Sequence, residues 1–311
     1  MKIVTAILIY LILINIITFA NYRSDKLKAK MGWDRISERR LLLLAVCGGG
    51  VGAFAGMRIY HHKTRKWRFR ILVPLCMIIQ ILLLISLLGF SLYVSDYYHA
   101  GSEAASAMQS DEEVQVKEIR TGTLFDGPGE ENAVIFYPGA KVEETAYAPL
   151  LHRAAADGTD CFLVNMPGRL AFFGKNKAKR IIKDKNYSYD NWYMMGHSLG
   201  GAMAAEFCAD SKNLVTGLIL LAAYPVKNLK SESFRLLSIY GSEDKVLNMK
   251  NYEENRENWP EDAQEYIIDG GNHAGFGEYG PQNGDGSASI SQEEQQSQTA
   301  RMIHLFITKD R

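Results

Sequence analysis

The chain has 311 residues, 47% of them hydrophobic, with 35 Lys plus Arg balancing 35 Asp plus Glu. That zero hides a split: residues 1–95 carry 14 basic and 3 acidic residues, and residues 96–311 carry 21 and 32. An acidic C-terminal part excludes nucleic acid as its partner, and Cys47, Cys76, Cys161 and Cys208, scattered in apolar runs, read as buried free thiols rather than a disulfide or metal framework.

Residues 3–20 and 71–94 are almost wholly apolar. Each is long enough to cross a bilayer, which takes about 20 helical residues. Residues 41–60 are also apolar but hold Gly48, Gly49, Gly50, Gly52 and Gly56. Small residues favour close helix packing in lipid and weaken a lone span, so this segment either crosses or turns back as a re-entrant hairpin. Residues 1–20 are expected to stay as an uncleaved anchor, because no small-x-small site precedes a mature domain. Lys63, Arg65, Lys66, Arg68 and Arg70 precede the third segment, and Asp96, Glu103 and Asp111 to Glu113 follow it. The positive-inside rule then puts everything after residue 95 outside the cytoplasm. The first loop, with Arg23, Lys26, Lys28, Lys30, Arg35, Arg39 and Arg40, lies outside if there are three spans and inside if the middle segment is re-entrant. Residues 1–95 thus read as a multi-pass domain of two or three spans in the cell membrane, with the lipid bilayer as partner.

Asp25-Lys26-x-x-Ala29, Trp33-x-Arg35-Ile36-x-Glu38, Leu41 to Leu44, Gly48-Gly49, Gly52 and His62-Lys63-Thr64 with Phe69 resemble a small membrane family of unknown function over about residues 5–90. The resemblance implies no activity. His61 and His62 read as the polar flank of a basic loop rather than as metal ligands.

Residues 96–113 are expected as an acidic linker, since His99 to Glu113 are rich in Ala, Ser, Gly and acids. From 114 to 311, strand-like runs near 114–121, 133–137, 161–166, 191–195, 215–223, 234–240 and 264–269 alternate with helical patterns near 144–156, 173–184, 199–210, 246–256 and 291–308. The alternation predicts an α/β domain with a mostly parallel sheet and helices on both faces, behind an all-α transmembrane domain. Functional residues are expected at the carboxyl ends of the strands.

Gly196-His197-Ser198-Leu199-Gly200-Gly201 joins an apolar strand-like run to a run of helix formers. A strand-to-helix joint this short strains its middle residue, needs glycine on both sides, and aims helix N–H groups at the serine hydroxyl. Such a serine needs a base and an orienting acid, and in a fold of this type, with the serine at a strand-to-helix turn, the chain order is Ser, then Asp or Glu, then His. Only His273 and His304 follow it. His304 sits in an apolar helical stretch and reads as a packed residue, so His273, in a glycine-rich loop after a strand, is the expected base. Asp244, after the strand ending at Tyr240, is the expected acid, with Glu243 the second choice. The N–H of Leu199 and that of Ala140, in Pro138-Gly139-Ala140-Lys141, are the expected oxyanion donors, with Lys141 the second choice.

Phe172, in the loop after strand 161–166, and Phe276, after the base, are expected to line the substrate pocket. Asn283-Gly284-Asp285-Gly286 lacks the ligand run of a calcium loop, so no metal and no cofactor are expected. Tyr224 to Ser233 is too short for a lid, so the crevice is expected to be open.

Tyr137-Pro138-Gly139, the Gly196 to Gly201 hexapeptide, Tyr240-Gly241-Ser242-Glu243-Asp244 and Gly271-Asn272-His273 resemble the α/β-hydrolases, of the compact type similar to dienelactone-hydrolase-like esterases, over about residues 114–308. A Pro-Gly pair stands where many relatives have His-Gly. The resemblance implies acyl transfer to water through an acyl-serine, on a small-molecule carboxylic ester or thioester. The alternative is a non-catalytic binding module serving the membrane domain. Nothing in the sequence sets the oligomeric state.

Overall fold

A computed structural model describes residues 2–231 and 233–309. Met1, Glu232, Asp310 and Arg311, among which the outermost domain bounds fall, lie outside the described residues. The chain divides into two compact units, Met1–Tyr93 and Val94–Arg311.

The first unit holds α1 (Lys2–Met31), α2 (Glu38–Leu44), α3 (Gly50–Ile59) and most of α4 (Trp67–Ser95). Three stretches, Val4–Met31, Glu38–Ile59 and Trp67–Ser95, are long and apolar enough to cross a membrane. A straight helix of the middle length would hold its ends about 33 Å apart. This one doubles back. A π-helical turn at Ala45–Gly49, with Gly48 at φ 99°, breaks it in two. Its ends then meet: Lys63 Nζ lies 2.9 Å from Glu38 Oε1, and Asp25 both accepts from the Ile36 N–H at 2.9 Å and sits 2.6 Å from His62 Nε2. Glu38–Ile59 is therefore a helical hairpin with its two ends held together.

Irregular backbone is tolerated at membrane depth only where other groups satisfy it. Here Asn15 of α1 donates to the Gly48 carbonyl at 2.9 Å and accepts from the Gly52 N–H at 2.7 Å, while Gln80 of α4 accepts from the Val51 N–H at 3.1 Å. His62, expected as polar flank, is instead buried against Asp25. The four cysteines are free, but only Cys161 and Cys208 are buried; Cys47 is exposed on the helix surface and Cys76 half-buried, because lipid-length helices carry apolar side chains outward as well as inward.

The second unit begins with a departure from expectation. Residues 96–113 are folded, not extended as a linker. Tyr98 bridges Val142 in parallel, its N–H donating to the Lys141 carbonyl at 2.8 Å. Gly101 donates to the Glu278 carbonyl at 2.7 Å, and a short helix α5 (Ser102–Ala107) buries Ala104 completely. Composition alone missed this, because small residues such as alanine serve close packing as readily as flexibility.

The sheet then follows: β1 (Gln115–Ile119), β2 (Gly122–Asp126), β3 (Asn132–Tyr137), α6 (Ala148–Ala156), β4 (Asp160–Val164), α7 (Ala178–Ile182), β5 (Asn191–His197), α8 (Leu199–Asp210), β6 (Gly217–Leu221), β7 (Arg235–Gly241), α9 (Met249–Glu254), β8 (Gln264–Ile268) and α10 (Gln292–Thr308). Strand order is β1-β2-β4-β3-β5-β6-β7-β8. The β1–β2 and β2–β4 pairs are antiparallel and the rest parallel. The run read as one strand at 114–121 is the first arm of a hairpin whose second arm, β2, went unread. The helix expected at 173–184 shrinks to a 3₁₀ turn at Ala171–Gly174 and the short α7.

Period-two alternation builds a core on each face of the sheet. Val134 and Phe136 of β3 and Tyr193 and Met195 of β5 face α6 and α10. Ala133 and Ile135, with Trp192 and Met194, face the side covered by α7, α8 and α9. From β3 the chain steps outward to β4 and then crosses back to β5 on the other side, opening a crevice at the carboxyl ends of β3 and β5.

Candidate functional site

Ser198 stands at that crevice, between β5 and α8, with φ 52° and ψ −123°. Positive φ at a residue with a side chain costs on the order of 1–3 kcal/mol and persists only where the surroundings enforce it. They do so here. The Ser198 N–H donates to the Leu221 carbonyl at 2.9 Å, and its carbonyl accepts the first α8 bond, from Ala202 at 3.1 Å. Glycine is obligatory beside it: a Cβ on Gly200 would come 2.0 Å from the Tyr137 carbonyl oxygen, and one on Gly196 would come 2.5 Å from Gly200.

Asp244 and His273 meet across the ends of β7 and β8. His273 Nδ1 is 2.8 Å from Asp244 Oδ2, with both side chains almost fully buried. The other carboxylate oxygen accepts from the Val246 and Leu247 N–H groups, each at 2.8 Å, so Asp244 is also the cap of its own loop. With Nδ1 committed to Asp244, His273 Nε2 is buried and has no hydrogen-bond partner among the described residues. The His273 ring lies 4.5 Å, centroid to centroid, from that of His197, the residue preceding Ser198.

The loop after β3 completes the crevice. Lys141 has φ 57°, and its N–H donates to the Arg169 carbonyl at 3.0 Å, so the second-choice oxyanion donor is already used. The N–H groups of Ala140 and Leu199 have no acceptor among the described residues. Gly139 N–H donates to the Tyr147 hydroxyl at 3.1 Å, and that hydroxyl is 2.8 Å from His197 Nδ1. The hydroxyl thus holds both partners at once, as one O–H donor with two acceptor lone pairs allows. Burial, with the His273 ring alongside, holds the His197 imidazole well below its ordinary pKa, so it is neutral.

Sequence reasoning missed the residues that hold these loops. Tyr147 and His197 tie the β3 loop to the Ser198 turn. Asp285 accepts from the N–H of His273 at 3.3 Å and of Ala274 at 2.8 Å, and from that of Lys245 at 3.3 Å, binding the Asp244 and His273 loops together. Gln295 of α10 clamps Asn272, accepting from its N–H at 3.0 Å and donating to its carbonyl at 2.7 Å. A histidine directly beside the serine was the one sequence signal available for this network.

Two expected pocket residues are elsewhere. Phe276 is fully buried and packs 5.5 Å from the His197 ring, so it backs the site instead of lining it. Phe172 is exposed and borders a cleft of about 400 Å³ with Lys175, Arg180 and Glu206, not with Ser198. His304, as expected, is a helix residue; its Nδ1 is 2.9 Å from the Asp157 carbonyl.

Comparison with known proteins adds the following. Residues 133–297 match the model of the alpha/beta hydrolase family. Residues 15–69 match a family described as a protein of unknown function, DUF1294. The N-terminal part is 41% identical over 75 residues to the uncharacterized protein YsdA of Bacillus subtilis, covering 24% of this chain and 84% of YsdA. Among solved structures, an esterase of Pyrobaculum calidifontis superposes with a TM-score of 0.47 at 16% identity, over 67% of this chain and 90% of the other. The carboxylesterase CesB of Bacillus subtilis gives 0.45 at 12% identity, over 71% and 98%. A dienelactone hydrolase of Anabaena variabilis gives 0.46 at 12% identity, over 63% and 98%.

Proposed function

We propose, for a chain that belongs to the alpha/beta hydrolase family, that it is a membrane-anchored serine hydrolase cleaving a carboxylic ester or thioester. The observation that carries this reading is the Asp244–His273 bond, which leaves a buried His273 Nε2 uncommitted beside the strained turn of Ser198.

The Ser198 hydroxyl attacks the acyl carbon while His273 Nε2 takes its proton. Asp244 keeps the other ring proton on Nδ1 and stabilises the imidazolium that forms. The oxyanion settles on the N–H groups of Leu199 and Ala140, the first of which also carries the partial positive charge of the α8 N-terminus. His273 returns its proton to the leaving group, and a water then repeats the sequence on the acyl-serine. The test is turnover of a short-chain p-nitrophenyl ester by the full chain. His273→Ala is expected to lower it about 10³-fold or more with the fold intact. Unchanged turnover removes His273 from the mechanism.

The anchor is read as two crossings, α1 and α4, with the α2–α3 hairpin entering and leaving on one side. That arrangement puts both basic loops together, so the positive-inside rule is met by both at once with the hydrolase unit extracytoplasmic.

A further inference from the structure

The second unit is acidic, yet residues 165–185 carry seven Lys or Arg and a single acid, Asp184. This segment also exposes two adjacent aromatic rings, Phe172 at 65% and Phe173 at 54%, packed edge to face at 5.5 Å. Lys175 is neutralised by Glu206 and Asp210. Lys179, Arg180 and Lys183 are exposed and border a cleft of about 670 Å³ together with Arg120. Arg180 borders this cleft and the one holding the two phenylalanines, so the aromatic and basic parts form one continuous face.

The same loop packs against the first residues of its own unit. A Cβ on Gly168 would be 3.4 Å from Val94, in the final turn of α4. The Arg169 guanidinium sits 3.5 Å over the Tyr97 ring, and Lys141 Nζ pairs with Asp96 at 2.9 Å. Exposed aromatic rings flanked by Lys and Arg match the interfacial zone of a bilayer, where rings settle at headgroup depth and each basic residue adds attraction to anionic lipid. The positive charge of this face runs against the net charge of its own unit, and an anionic surface complements it.

We propose that the face formed by Phe172, Phe173, Lys179, Arg180, Lys183 and Arg120 rests on the surface of an anionic lipid bilayer. The contact is independent of the chemistry at Ser198. It seats the carboxyl end of β4, the sheet end that also carries Ser198, near lipid.

The test places a photo-crosslinking benzoylphenylalanine at position 172 of the full chain, reconstituted in vesicles of phosphatidylglycerol or of phosphatidylcholine. Flotation reports anchoring separately. Lipid adducts are expected in phosphatidylglycerol, falling about tenfold or more in phosphatidylcholine, given about fivefold per basic residue at an anionic surface. The same probe at Leu305, an exposed apolar residue of α10, is expected to stay free of lipid. Lys179→Glu with Arg180→Glu and Lys183→Glu should suppress adducts at 172 as the neutral lipid does. Equal adducts in both lipids, adducts at 305 as strong as at 172, or cross-links at 172 only to a second copy of the chain would each overturn the proposal.

Discussion

Tyr147→Phe removes one oxygen atom and leaves two polar groups without partners. Tyr147 is fully buried and His197 nearly so. The hydroxyl accepts from Gly139 N–H at 3.1 Å and is 2.8 Å from His197 Nδ1. An orphaned buried donor or acceptor costs about 1–3 kcal/mol, so the pair costs roughly 2–6 kcal/mol, towards the lower figure if the loop shifts. A shift has its own consequence, because Gly139 precedes the proposed oxyanion donor Ala140. A misplacement of about 1 Å costs on the order of 10²-fold in rate. The expected outcome is a variant with kcat down about 10- to 100-fold and KM changed less than about threefold, since the donor acts mainly on the transition state. Steady-state ester hydrolysis and denaturant unfolding of the same preparation measure both terms. Adding His197→Phe removes the second orphan, so the double variant should lose less stability than the two single losses combined. A Tyr147→Phe protein with wild-type turnover and stability would refute the view that this hydroxyl holds the loop.

Burial pushes the Asp160 carboxyl up to about 6, against the opposing bonds from Tyr189 and the Gly127 N–H. Between about pH 4 and 6 the folded chain therefore keeps a proton, beside the Asp126 carboxyl, that the unfolded chain has released, and stability should fall as pH rises through that window. Asp160→Asn cannot ionise and should flatten the slope; hydrogen exchange of the β3 and β4 amides at several pH values checks it, and an unchanged slope contradicts the assignment. Cysteines introduced one at a time at Asp34, Arg65 and Glu112, in a chain carrying Cys47→Ser and Cys76→Ser, test the topology with an impermeant maleimide. Glu112→Cys should label in intact cells, and Asp34→Cys and Arg65→Cys only after permeabilisation; opposite accessibility of 34 and 65 would restore a third crossing.

Local signals carried most of the sheet and the site. The Gly196 to Gly201 hexapeptide shows its turn in the letters, because a glycine two residues either side of a serine is what a strand–helix joint without a loop demands. Asp244 and His273 were readable because each follows an apolar run at the end of a parallel strand. What escaped was non-local. Tyr147 is 50 residues from His197, and nothing in its own neighbourhood distinguishes it from a core tyrosine. Asp285 sits in a glycine-rich stretch resembling an idle surface turn, yet three N–H groups from two other loops converge on it. Phe276 looked like a pocket residue from its position after His273, and only packing against His197 turns it inward. In the membrane part, glycine content left two topologies open. The hairpin itself rests on polar pairs, Asn15 with Gly48 and Gly52, and Glu38 with Lys63, that only the folded backbone brings together.

Covalent labelling of the full chain with a fluorophosphonate, followed by peptide mass spectrometry, tests the serine chemistry most directly. One adduct is expected, on Ser198, formed much more slowly in His273→Ala and absent from Ser198→Ala. A folded chain that takes no label, or one labelled equally well after His273 is removed, would contradict it.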